Sequence, residues 1–374
     1  MRYIKTIFIF LFFTVSSCKF GGDVCLIPME IVRVSGGGSH TLILGRDGTV
    51  WATGLNSSGQ LGTGDYNNRY VFTKVAGGVK MIAAKGNHSL ILKEDGTVLV
   101  TGYNFYGQLG TGDNTNRNLF TKVASNVKMI AAGGSHSLIL KEDGTVWLTG
   151  KNEYGQLGTG DNTHRNTFIK VASNVKMMVA GNEFSIILKE DGTVLATGRN
   201  NWGQLGNGES GNNKNVFINV ASGVKMISAG GSYSVILKED GSVLTTGYNQ
   251  DHGQLGTGDN INRNVFTKVA SGVKIIAAGG NHLLILKEDG TMLVTGGNYN
   301  GQLGIGDNIN RNVFTKVASN VKMIAGGEDH SIILKKDGTV WVTGSNSYGQ
   351  LGNGSTGGSI NVFTKIDNKT FSCE

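Results

Sequence analysis

The chain has 374 residues, with 59 glycines but one proline, three cysteines and a formal charge of +7. So much glycine without proline excludes a collagen-like chain or a proline-rich linker, and glycines at fixed spacing point to turns rather than disorder. The basic residues are spread evenly through the repeats and form no arm interleaved with aromatics, so nucleic acid is not an expected partner.

The chain opens on MRYIK, a short basic start, followed by TIFIFLFFTV, an apolar run of 10 residues that is short for a membrane span. The next residues, Val15–Cys18 (VSSC), resemble a bacterial lipobox, which is cut before its cysteine and acylated on the thiol. This order predicts a lipoprotein signal peptide over 1–17 and a lipidated linker over 18–28 beginning at Cys18. An ordinary secretory signal with a chance cysteine is the alternative. Either reading exports the chain.

From about residue 29 to 367 one pattern repeats seven times, leaving no room for a second domain; residues 368–374 are read as a tail. The DG pair recurs at Asp47, Asp95, Asp143, Asp191, Asp240, Asp289 and Asp337, in steps of 48 or 49. GQLG keeps pace, from Gln60 to Gln350. Within a unit, VKMIAAGG (127–134) and HSLILKEDG (136–144) run into a turn, TVWLTG (145–150) leaves it, and TFIKVA (167–172) reads as a fourth strand. No segment sustains a 3.6-residue apolar period. Four strands per unit of about 48 residues predict an all-β fold, a seven-bladed β-propeller.

The pattern AAGGSHSLILKEDGTVWLTGKNEYGQLGTGD (131–161) resembles the regulator-of-chromosome-condensation repeat family, and the likeness recurs in all seven units. The resemblance implies a seven-bladed propeller closed by strands from both chain ends, here EIVRV (30–34) and VFTKI (362–366). In such a ring the chain ends meet, so Cys25 and Cys373 are a candidate disulfide, with two free thiols as the alternative. Eukaryotic members act as nucleotide exchange factors through an insertion that interrupts one blade. The constant repeat spacing excludes that insertion here. A secreted bacterial member inhibits β-lactamases through aromatic-rich loops, so the resemblance implies a mode of binding without assigning a target.

GQLG itself reads as architecture: its glycines allow positive φ and its leucine can plug between blades. The residues just before it vary and favour aromatics. Phe105, Tyr106, Tyr154, Trp202, Asp251, His252, Tyr299 and Tyr348 are therefore the candidate interaction residues, gathered on one rim. Such rings can also be mere cover for the blade tops. His40, His88, His136, His282 and His330 occupy one register and are replaced by Phe184 and Tyr233, which suits packing better than metal ligation. The Asp-x-x-x-Arg loops, such as Asp65/Arg69, lack the calcium-loop order and read as ion pairs. No nucleophile with a partner and no phosphate loop occurs, so the chain is not expected to be an enzyme. No metal or cofactor is expected.

The reading that follows is a monomeric, lipid-anchored, extracytoplasmic module that binds an unidentified host or envelope protein and touches the membrane by its lipid alone. A glycan-binding, lectin-like propeller is the alternative. An enzyme of the lyase or hydrolase class would use the central funnel.

Overall fold

The structure is a computed structural model that describes residues 30–367 and 371–372. Cys18, Cys25 and Cys373 lie outside the described residues. Seven sheets of four antiparallel strands follow one another along the chain, and no helix occurs among the described residues. Blade 3 shows the plan: Val127–Ala132, His136–Lys141, Val146–Gly150 and Arg165–Ala172, counted outward from the axis. The hairpin between its second and third strands turns at Gly144, at a φ of 79° that glycine tolerates. Its second strand is buried throughout but for the terminal lysine, while the fourth alternates between half-buried and exposed.

A sheet with two apolar faces is stable only between neighbours. Accordingly each core straddles two blades. Leu90, Leu92, Val98 and Val100 of blade 2 pack against Val127, Ile130 and Ile139 of blade 3, and Leu109 of the intervening GQLG loop fills the space between them. Each fully buried leucine of this kind contributes about 1.5–3 kcal/mol.

The ends of the chain close the ring differently from expectation. Ile31–Gly36 is the innermost strand of blade 1, and Ser359–Lys365 is the outermost of blade 7. They share no sheet, because each blade is built entirely from consecutive strands. Blade 7 packs directly on blade 1, and Phe371–Ser372 adds a short fifth strand that pairs in parallel with Phe72 and Thr73 on the edge of blade 1. Phe371 stacks on Phe72 at 5.3 Å and meets Trp51 edge-on at 5.4 Å. These rings join the core between blades 7 and 1.

The repeated histidines stitch blade to blade. His40 Nε2 lies 2.8 Å from Ser89 Oγ of the next blade, and Ser89 donates to the Gln60 carbonyl at 2.7 Å. Because the serine proton is used there, the imidazole donates, and its Nδ1 is left buried without a partner. His88, His136, His282 and His330 repeat the contact, the last on Thr41 across the closure. Tyr233 takes this position in blade 5. Its hydroxyl donates to the His282 carbonyl, and the next blade carries Leu283 where the others carry serine or threonine.

Two outcomes are expected. Phe371→Ala removes a half-buried ring from the closure and lowers the urea unfolding free energy by about 1–3 kcal/mol, below the full-burial range. The second concerns acid. Burial pulls the five histidines down to about 3 for His40, His136 and His282 and about 4 for His88 and His330, from an ordinary 6.5. The unfolded chain therefore takes up protons below 6.5 that the native ring refuses until pH 3–4. Stability present above pH 6.5 is lost as pH falls through this window, by about 1.4 kcal/mol per pH unit for each histidine. His136→Phe, which copies Phe184 of blade 4, should reduce that slope by about one proton. Urea titrations between pH 7.5 and 5 read it directly.

Candidate functional site

In every blade the chain passes from the third strand to the fourth through the GQLG loop, so all seven loops stand on one face. What fixes each loop is the following blade. The Thr101 hydroxyl lies 2.8 Å from the Gly59 carbonyl of the preceding loop, and Leu61 between the blades is wholly buried. A Cβ on Gly62 would fall 2.5 Å from the Phe120 ring, and one on Gly59 would fall 2.5 Å from the Arg117 carbonyl. The loop is cinched internally as well: Asn56 accepts from the Leu61 amide and donates to the Asp65 carbonyl. Asp65 in turn pairs with Arg69 at 2.7 Å, an arrangement repeated in four other loops. Blade 4 substitutes Glu209 and Lys214 at 2.7 Å. Such loops are rigid stands for whatever precedes GQLG.

On these stands two clusters form. Over blades 2 to 4, Tyr103 stacks near Phe105 at 6.4 Å, Phe105 meets Tyr106 at 5.0 Å, and Tyr106 meets His164 at 5.2 Å. The Lys151 ammonium sits over both Tyr106 and Tyr154, and the Arg199 guanidinium lies 5.0 Å from the Tyr154 ring. Glu183 holds both cations, Lys151 at 2.9 Å and Arg199 at 2.5 Å, while Glu153 takes Lys151 at 3.0 Å. Burial opposes the Lys151 charge, but the two carboxylates outweigh it and keep its pKa above the ordinary lysine value. Over blades 4 to 6, Trp202 packs on Tyr248 at 5.0 Å, Tyr248 on His252, and His252 on Tyr299 at 5.7 Å. Asp251 accepts from the Tyr248 hydroxyl.

Phe105 and Tyr299 are 62% and 65% exposed, Trp202 37%, so the rings are presented to solvent rather than folded under. Seven of the eight sequence candidates thus fall into two clusters on neighbouring blades. Tyr348, 42% exposed on blade 7, stands apart from them. Tyr103, Lys151, Arg199, Tyr248, His164 and Glu183 were not among the candidates. The signal for four of them was present: the residue after the third strand reads Leu55, Tyr103, Lys151, Arg199, Tyr248, Gly297 and Ser345, as variable as the positions before GQLG.

The axis also departs from sevenfold likeness. The inner strands enclose a cavity of about 340 Å³ lined by Met81, Met129, Met177, Met226 and Arg33, with Lys85 and Glu328 toward the loop face. At six blade junctions backbone bonds form a collar there, among them Gly38 to Gly86 and, across the closure, Glu328 to Gly37. Six blades place glycine just before the collar, because a Cβ would strike the histidine, Phe184 or Tyr233 ring. Blade 2 instead has Lys85, accommodated by extending its first strand to pair Lys85 with His88. The ammonium crosses the lumen and donates to the Ala180, Ala229 and Gly230 carbonyls at 2.9, 3.0 and 3.1 Å. Burial pulls its pKa down to about 8, against the attraction of Glu328. All three donors are spent on tying blade 2 to blades 4 and 5.

A ring of nearly identical latches carrying unlike side chains defines a seven-bladed propeller with a variable rim. The chain belongs to the RCC1-like domain family, whose model matches residues 19–271 and 120–373. Among solved structures, human WBSCR16 is 24% identical, covering 83% of this chain and 87% of that one, with a TM-score of 0.75. Saccharomyces cerevisiae Prp20p, studied for its binding to Gsp1p and histones, is 23% identical with 87% of each chain covered and a TM-score of 0.75. The CRINKLY WD40 ectodomain of the Arabidopsis thaliana receptor kinase ACR4 is 14% identical, covering 84% of this chain and 95% of that one, with a TM-score of 0.51. At these identities the likeness concerns the fold. No curated protein gives a significant match.

The latch has a test within one loop. Gly206 and Gly208 both have positive φ, 73° and 84°, but a Cβ on Gly206 would sit 2.5 Å from Phe266 while one on Gly208 meets nothing within 4 Å. Gly208→Ala should cost about 1–2 kcal/mol for the left-handed backbone alone, and Gly206→Ala about 2–4 once overpacking is added. Equal losses in urea denaturation would mean that the loop does not seat on the next blade.

Proposed function

We propose that the protein is a lipid-anchored extracytoplasmic binding module that recognises a protein partner through the aromatic and cation–π clusters of its loop face. The carrying observation is the pair of solvent-presented clusters, Phe105–Tyr106–Lys151–Tyr154–Arg199 and Trp202–Tyr248–His252–Tyr299, on loops latched to the next blade. Rigid aromatics at pre-ordered positions lose little entropy on contact and are the side chains that dominate interfaces. Family precedent agrees in kind, since Prp20p has been crystallised with Kap60 and binds Gsp1p and histones. Tethering through Cys18 is part of the proposal and rests on the VSSC sequence after an apolar run.

Binding is read by capture from envelope and host extracts, using the chain from residue 19 and a Tyr106→Ala, Tyr154→Ala, Trp202→Ala, Tyr299→Ala variant of unchanged thermal midpoint. A partner held by the first and lost by the second, by about a thousandfold in Kd for two lost anchors at ~2 kcal/mol each, is the expected result. Capture unaffected by the substitutions would refute the assignment of this face. Selective retention on a glycan array would move the ligand class to carbohydrate. Incorporation of labelled palmitate, abolished by Cys18→Ser, checks the anchor separately.

A further inference from the structure

The face opposite the loops bears its own repeated chemistry. It is formed by the hairpin tips, the ends of the second and fourth strands, and the starts of the first. In blades 2 to 7 the first strand bulges at its second residue, which is skipped by the pairing register. In blade 2, Val79 and Met81 pair with Lys93 and Leu92, and the ammonium of the skipped Lys80 donates to the Glu94 carbonyl of the hairpin tip at 3.3 Å. A bulge re-aims the side chain it carries. The six residues so placed are Lys80, Lys128, Lys176, Lys225, Lys274 and Lys322, and in blades 2 to 5 the methionine that follows each lines the axial cavity.

In blades 2, 3, 5, 6 and 7 two further lysines stand on the same face, as Lys93 and Lys122 do in blade 2, and the turn aspartates lie in their field; blade 4 has Asn219 in place of the second. Asp95 is held below its usual range first by bonds from Thr97 and then by Lys122 and Lys93, and Asp289 likewise by Thr291 and then Lys287 and Lys316. Blades 2, 3, 5 and 6 thus set three lysines against one glutamate and one aspartate. Blade 7 adds Lys336 in place of that glutamate. The loop face is of the other kind: Glu153, Glu183, Asp251, Glu328 and Asp329 outnumber Lys85, Lys151 and Arg199, and the Asp–Arg loop pairs cancel. The positive charge of the chain is therefore collected on one side.

The described chain also starts on that side. Glu30, the first described residue, pairs with Arg46 of the first hairpin tip at 2.6 Å. A tether over 19–29 spans at most about 40 Å when fully extended.

We infer that the lysine-ringed hairpin face docks on an anionic bilayer surface and thereby turns the aromatic loop face away from the membrane. Rings of like charge in one plane suit a planar anionic lipid surface, whose attraction falls off within a Debye length of ~8–10 Å. The proposal deepens the anchored reading above by assigning the orientation of the module. It does not depend on acylation, because the charge is in the folded ring itself.

The test uses the chain from residue 19, which contains the whole closed ring and carries no acyl group. Co-sedimentation is measured with phosphatidylcholine vesicles and with vesicles rich in phosphatidylglycerol. Binding is expected only to the latter, weakening by at least about tenfold between low salt and ~0.5 M salt. Lys176→Gln, Lys225→Gln, Lys274→Gln and Lys322→Gln together should reduce it by at least about tenfold at unchanged thermal midpoint. Trp202→Ala with Tyr299→Ala should leave it unchanged. Equal binding to both vesicle types, or a lysine variant that binds like the parent, overturns the inference. So does release from vesicles by soluble polyphosphate at equivalent phosphate concentration, which would mean a free polyanion is the ligand. Failure of palmitate labelling with vesicle binding intact would sink the anchor and spare the orientation.

Discussion

Everything in this molecule depends on a debt between neighbours: no blade can cover its own apolar faces, and each loop is seated by the blade that follows. The Gln60 carbonyl accepts from Ser89, the Gly59 carbonyl lies against Thr101, and Leu61 is closed in between. Such an arrangement has an end only if the last unit is the neighbour of the first, and Thr41 meets both His330 and Gln350 in that role. Closure is thus the same interaction as propagation, repeated once more. Phe371 adds a seal on the outer edge of blade 1, where a free strand edge is otherwise exposed.

The same interaction explains why the rim is free to vary. The atoms that seat a loop are mostly backbone carbonyls, buried glycine contacts and one leucine. The variable side chains before GQLG make none of these contacts; where that segment reaches the next blade in the latch it does so by backbone, as the Asp251 carbonyl accepts from Asn310 at 3.1 Å. Tyr154 and Trp202 can therefore replace Ser58 without disturbing the latch. Variation also enters the stitched core: Tyr233 in blade 5 is met by Leu283 in blade 6, while Phe184 in blade 4 is followed by the usual serine, Ser234. Lys85 is the instructive departure. A side chain enters a position that six blades reserve for glycine, and the strand there runs one pair further, in the same register, to admit it.

Much of the fold was legible because its signals are local. A DG turn and a GQLG loop announce themselves over a few residues, and their constant spacing implies the ring. The rim candidates were legible for the same reason, being variable sites in a fixed frame. The seal by Phe371 was not, because a two-residue strand pairing with an edge three hundred residues earlier leaves no periodic trace. Tyr248 and Arg199 vary in one register too, but they follow the third strand, at a distance from GQLG, and only the folded loop brings them beside the residues before the motif. In the axial cavity, Lys85 and Glu328 each interrupt a run of near-identical turns, a break visible in the sequence itself.

Charge distribution shows most plainly what repetition hides. Lysines spaced 48 or 49 residues apart look diffuse along the chain, but that spacing is one blade, so equivalent positions fall in one plane. What reads as an even background becomes a ring around the axis. The two faces then differ in kind. The hairpin face is built from nearly the same charges in blade after blade, and the loop face from side chains that change with every blade. A surface without internal distinctions suits a ligand without them, such as a sheet of headgroups. A surface whose every sector differs can discriminate one shape from another, and the latches hold that surface still enough for the distinction to matter.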